Sequence, residues 1–188
     1  MFSITEQMNP EILDWLLEES YPTVRYLTFK LLLAESENSS KVIEAKKQIM
    51  SLGVVPKIIE KMTPDGYWDK ENSFYTAKYR GTVWQLMILA EHFADYKNKN
   101  IIKSCNFLLS KSWQSLSGGF SYKNINGKPD ENGIIPCLTG NMLFTYCRLA
   151  PDRNDVIRSA SEWLCNYLRF DDGDTKVPNE HPWNNWNS

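Results

Sequence analysis

Histidine is almost missing from this chain. The two present, His92 and His181, lie too far apart to suggest a histidine-based metal site. The four cysteines, Cys105, Cys137, Cys147 and Cys165, form no CxxC pair. That removes the commonest zinc and dithiol-redox signatures, so neither a metal nor another cofactor is expected. Positive charge is not in excess either: Lys and Arg total 21 against 23 Asp and Glu, a net charge of −2. The chain has no basic block, so no nucleic-acid partner is expected. Long apolar runs are absent too. Leu31-Leu32-Leu33 is short, whereas a membrane span needs about 20 apolar residues. Residues 1–10 show no positive segment leading into an apolar one, so the expected location is cytoplasmic. No segment alternates as a strand.

Helical period and aromatic rings are what the sequence does have. Its 188 residues are enough for one ordinary domain with a sizeable core. Aromatics reach 13%, with seven Trp, which is high and calls for a structural reason. Asn9-Pro10-Glu11 reads as cap, first-turn proline and first-turn acid. The helix it opens should turn Ile12, Trp15 and Leu16 inward. A second helix, restarted by Tyr21-Pro22, offers the stripe Val24, Leu27, Leu31 and Ala34. Ser39 or Ser40 caps a third, with Val42 and Ile49 as apolar points, and Gly53 ends it. Val54, Val55, Ile58, Ile59 and Met62 mark a fourth. The spacing then predicts a helix from about Tyr75 to Phe93, with Val83, Leu86, Met87 and Ala90 inward. Asn100 is the expected cap of the next, which carries Ile101, Cys105, Leu108 and Leu109. Pro136 opens a helix bearing Leu138, Met142, Leu143, Tyr146 and Leu149. The last helix bears Val156, Ala160, Trp163, Leu164, Tyr167 and Leu168. Cys105, Cys147 and Cys165 fall within these patterns and are expected to be reduced, buried thiols.

The order helix, helix, Gly-aromatic loop recurs. Gly66-Tyr67-Trp68 and Gly118-Gly119-Phe120 stand 52 residues apart, and Gly173 marks a third, degenerate loop. Thr82 and Leu86 match Thr139 and Leu143 at an offset of 57. The polar loop before Pro136 absorbs the difference.

The segment Gln114 to Phe120 resembles the QW motif of squalene cyclases, with Phe in place of Trp. Asp65-Gly66-Tyr67-Trp68 resembles a weaker copy without the Gln. Gly81 to Leu86 and Pro136 to Leu143 resemble the helix starts that follow such loops. On Gly66, Trp68, Gln114, Gly118 and Phe120 the chain thus resembles the prenyltransferase/squalene-cyclase α/α toroids, over residues 56–175. That implies an all-α fold of helical-hairpin repeats in one domain over residues 1–188. Residues 1–63 would form N-terminal helices, 64–175 the repeats and 176–188 an irregular tail. The helix due after Gly173 would start where the chain stops. An incomplete toroid is therefore expected, the N-terminal portion of a longer protein. Apolar surface around Tyr146, Trp163 and Tyr167 would then lie partly uncovered and favour a homodimer.

The resemblance implies an isoprenoid or other apolar substrate, but the family's chemical groups are not found. The acidic run Asp171-Asp172-Gly173-Asp174 misses both DxDD and DDxxD. No cysteine has Asp two residues before it, and no Cys-His-Gly motif occurs. The candidates for ligand contact are Tyr75, Lys78, Tyr79, Arg80 and Trp84, which join rings to cations as an anionic, apolar ligand requires. Cys137 and Asn141, in the first turns of a helix, complete the set. Cys137 occupies a position where a helix dipole favours a thiolate. Trp183 and Trp186 either line a ligand groove or pack the tail. Two readings remain: a terpenoid cyclase/prenyltransferase-like enzyme, and a non-catalytic helical-repeat scaffold or ligand-binding module. A deep apolar pocket lined by Tyr79, Trp84, Met87 and Met142 with one acid inside would favour the enzyme, and a flat or filled core the module.

Overall fold

Asn9 caps the first helix of the computed structural model, which describes residues 9–167; its Oδ1 accepts the Glu11 N–H at 3.0 Å. The acidic run after Phe170 and Trp183 and Trp186 lie outside the described residues.

Eight α-helices follow in order among those residues: α1 (Pro10–Leu16), α2 (Pro22–Leu27), α3 (Ser40–Gln48), α4 (Val54–Glu60), α5 (Thr82–Glu91), α6 (Lys99–Ser112), α7 (Pro136–Leu149) and α8 (Asn154–Tyr167). Proline opens α1, α2 and α7, where its missing N–H has no helical partner to lose. Ser39 caps α3 by accepting the Val42 N–H. Asn98, not Asn100, caps α6: its Oδ1 accepts from Asn100 at 2.9 Å. The described chain is mostly helical, with one small antiparallel pair, β1 (Asn124–Ile125) and β2 (Lys128–Pro129).

Each exception to the expected helices has a local cause. The first two helices bury different faces from those expected. Ile12 and Trp15 are exposed and Leu16 is half-buried. Val24, Leu31 and Ala34 are exposed as well, while Tyr26 and Phe29 are buried. The competing aromatic stripe wins because each ring removes more apolar area from water. Beyond Leu27, α2 continues as one π turn, Thr28–Leu32, in which the Leu33 N–H reaches the Thr28 carbonyl at 3.0 Å. The extra residue turns Leu31 out to solvent. The helix expected from Tyr75 starts only at Thr82. Residues 71–80 form two short 3-10 turns instead. They fold back so tightly that a Cβ at Gly81 would stand 2.6 Å from the Phe74 carbonyl oxygen. The β pair is closed by Asn126 and Gly127, both at positive φ, the Asn-Gly hairpin signature.

Packing proceeds between neighbours along the chain. Helix α2 packs on α3 and α4 on α5. Helix α5 touches both α6 and α7, and α7 packs on α8. Leu86 and Leu89 of α5, Ile101 and Leu108 of α6, and Leu138, Met142 and Tyr146 of α7 share one fully buried core. Tyr146 and Trp163 do not form the uncovered surface expected of them. Both are buried, and only Tyr167 is exposed. The Tyr146 hydroxyl donates to the Cys105 carbonyl at 2.8 Å, and its ring stacks on Phe120 at 5.6 Å. The cysteines also depart from expectation. Cys105 is buried, but Cys147 and Cys165 are exposed, on the outward faces of α7 and α8.

Candidate functional site

Both Gly-aromatic loops close by a corresponding pair of hydrogen bonds, the second loop being one residue longer. In the first, the Thr63 N–H donates to the Tyr67 carbonyl at 2.9 Å, and the Gly66 N–H donates to the Thr63 carbonyl at 3.0 Å. In the second, the Gln114 N–H donates to the Gly119 carbonyl at 2.9 Å, and the Gly118 N–H donates to the Gln114 carbonyl at 2.7 Å. Gly66 and Gly118 have φ of +92° and +90°, a region that L side chains rarely occupy. The aromatic two residues on is buried in each case. Its N–H donates to the threonine at the start of the next helix: Trp68 to Thr82 at 3.2 Å, and Phe120 to Thr139 at 3.0 Å. The loop thereby pins one hairpin to the following one. Gly66 lies on the backbone of Lys103 in α6 and Gly118 on that of Ser159 in α8, so each glycine seats a helix where no Cβ fits. The match is not complete along the helices, since Leu86 is fully buried and Leu143 only half-buried. Gln114 serves through its backbone, and its Oε1 accepts the exposed Leu116 N–H.

These clips bring the starts of α5 and α7 to one end of the molecule, where four rings gather. Tyr75 lies 6.0 Å from Trp84 and 5.9 Å from Tyr122, and Tyr79 lies 5.5 Å from Trp84, centroid to centroid. The Trp84 indole N–H donates to the Tyr75 carbonyl at 3.0 Å, and the Gln85 amide donates to the Tyr79 carbonyl. These bonds fix the folded-back strap against α5. Burial pushes the Tyr75 phenol above its ordinary value, and the nearby Cys137 and Tyr122 push the same way. Cys137 is thus close enough to Tyr75 to act on it electrostatically, and it is exposed. Tyr79 is 74% exposed, so one face of the cluster is open to solvent.

The expected cations flank Tyr79 in the chain. Lys78 and Arg80 are exposed, and neither forms an ion pair among the described residues. Lys78 adopts φ of +53° in the strap. Lys123, which sequence reasoning missed, sits 4.9 Å from the centroid of the Tyr122 ring. Tyr122 was missed too. The hairpin signal at Asn126-Gly127 would have placed both beside the α7 start. Asn141 is exposed one turn along α7, its carbonyl accepting from Thr145 at 2.8 Å, and nothing joins it to the rings. Met142 is fully buried in the core and Met87 half-buried, whereas Tyr79 is exposed. Among the described residues no three His, Cys, Asp or Glu side chains gather as metal ligands. None of the described helices is long and apolar enough to cross a membrane. Set against protein-family models, curated proteins and solved structures, the chain matches none of them, so the chemistry of this end is read from its own geometry.

Proposed function

We propose that the chain is a prenyltransferase/squalene-cyclase-like helical-repeat protein that binds an isoprenoid or similarly apolar, anionic ligand at the aromatic end of α5 and α7. The observation that supports this is the open cluster of Tyr75, Tyr79, Trp84 and Tyr122, with Lys123 over the Tyr122 ring and the exposed Lys78 and Arg80 flanking Tyr79 in the chain. Rings offer flat apolar area and a negative face, and the cations answer an acidic headgroup. The duplicated Gly-aromatic-Thr clip supports the repeat reading, in which α5/α6 and α7/α8 are successive hairpins of a toroid-like repeat.

Binding without turnover is the second reading, and one observation favours it. Met142, one of the four residues an enzyme pocket here would call on, is fully buried in the core. Titrating farnesyl diphosphate while following tryptophan fluorescence tests the proposal. Saturable quenching is expected, weakened at least about tenfold, or about 1.4 kcal/mol, in Trp84→Leu or Tyr79→Ala. Equal affinity in both variants would remove the aromatic end as the site. Diphosphate release detected during the titration would decide for an enzyme.

A further inference from the structure

A groove of about 780 Å³ opens at the other end of the same helices, between α3, the turn joining α5 to α6, and the last turn of α7. Its apolar wall is Val42, Ile43, Met50, Phe93 and Tyr96. Four cations line it, Lys46, Lys47, Lys97 and Arg148, against two carboxylates, Glu37 and Asp95. Among the described residues none of the four cations is in an ion pair. Glu37 is already engaged by Lys30 at 2.8 Å. Asp95 Oδ1 accepts the Lys97 backbone N–H at 3.0 Å.

Arg148 is the best-held of the cations. Its guanidinium carbon lies 4.1 Å from the Phe93 ring centroid and 5.2 Å from that of Phe144. Two ring contacts hold the guanidinium in place, and among the described residues it forms no ion pair, so its charge is available to a phosphate or carboxylate. Phe93 reaches this position from φ of +56°, a strained conformation for a bulky residue. Lys46 and Lys97 likewise rest near rings, those of Tyr26 and Tyr96.

From this arrangement we infer that the groove binds a phosphate monoester carrying an apolar body, with Arg148 as its principal anchor. The surplus of two positive charges matches a phosphate monoester, which carries close to two negative charges at neutral pH. The apolar wall takes the body of the ligand. Lys46, Lys47 and Arg148 also sit in the last turns of α3 and α7, where cations offset helix dipoles. A role confined to the dipoles makes a different prediction, so the two are separable.

Calorimetric titration of the whole chain with 1-naphthyl phosphate tests the inference, with 1-naphthol and inorganic phosphate as halves of the ligand. Saturable binding of the ester, at least about tenfold tighter than either half, is expected. Arg148→Met, which keeps an apolar stem on Phe93, should weaken it about tenfold or more, and Lys97→Gln by a smaller factor. Lys61→Gln, exposed after α4 and outside both ends, should leave it unchanged. Vesicles of phosphatidic acid in phosphatidylcholine form a second arm. Arg148-dependent binding there but not to the soluble ester identifies a lipid headgroup as the source, and the reverse identifies a soluble ester. No binding in either arm overturns the inference. So does binding that Arg148→Met leaves intact while the thermal midpoint falls, which would assign Arg148 to the helix dipole alone.

Discussion

Gly118 presses against the backbone of Ser159, so that a Cβ at Gly118 would stand 2.6 Å from the Ser159 carbonyl carbon. Gly118→Ala therefore meets two penalties, a left-handed backbone at φ of +90° and a helix in the way. The first costs about 1–2 kcal/mol. Forcing α8 off the loop should bring the total to about 3 kcal/mol or more. Gly127 is the internal control: its φ is +79°, but no atom lies within 4 Å of the added carbon. Gly127→Ala should cost only about 1–2 kcal/mol. Urea unfolding of both variants makes the comparison, and equal losses would mean that the loop does not seat α8.

The threonine clips predict a matched pair of losses. Thr82→Val and Thr139→Val keep the shape but leave the N–H of Trp68 or Phe120 buried without an acceptor. Each should cost about 1–3 kcal/mol. Serine at either position should recover most of it, because the hydroxyl returns. Loss of stability in one variant and none in the other would show that the two loops, alike in geometry, are not alike in energy.

Much of the helical order was legible because it rests on local rules. The proline starts of α1, α2 and α7, the Ser39 cap and the buried points Val42 and Ile49 follow from position and period alone. The clips were half legible. Glycine and aromatic spacing marked the loops, but the bond from Phe120 to Thr139 spans 19 residues and no periodicity announces it. What failed was decided by tertiary competition. Tyr26 and Phe29 outbid the aliphatic stripe of α2, and the π turn at Thr28 moved Leu31 outward. The strap before Thr82 carries enough helix-forming residues to read as helix, yet Gly81 lets it fold against Phe74. Of the candidate site, Tyr75 and Tyr79 both lie against Trp84. Tyr122 and Lys123 were missed because they arrive on a hairpin whose two-residue strands carry no alternation.

Thiol accessibility separates the cysteines in a way the sequence pattern did not. Cys137, Cys147 and Cys165 are exposed, whereas Cys105 is buried between α6 and its neighbours. An aromatic disulfide reagent at neutral pH should react promptly with the three and reach Cys105 only in denaturant. Mass spectrometry of the labelled peptides assigns the sites. Rapid labelling of Cys105 in the native protein would show that the α6–α7 packing opens readily.

Burial pushes the Cys105 thiol up to about 12, and it pushes the Tyr146 phenol well above its ordinary value. The two touch, because the Tyr146 hydroxyl donates to the Cys105 carbonyl. In the unfolded chain the thiol ionises near 8.5 and the phenol near 10. Above about pH 8.5 the folded state therefore holds protons that the unfolded state has released, and stability must fall as pH rises. Their contribution is complete below that point and drains away up to about pH 12 for Cys105, with Tyr146 adding to the loss from about pH 10. Unfolding free energies measured by urea from pH 7 to 11 should decline with this shape. Cys105→Ala should remove the earlier part of the slope, and Tyr146→Phe the later part, although each lowers stability at pH 7 by losing packing or a hydrogen bond. A slope unchanged in Cys105→Ala would mean that some other group carries the alkaline loss.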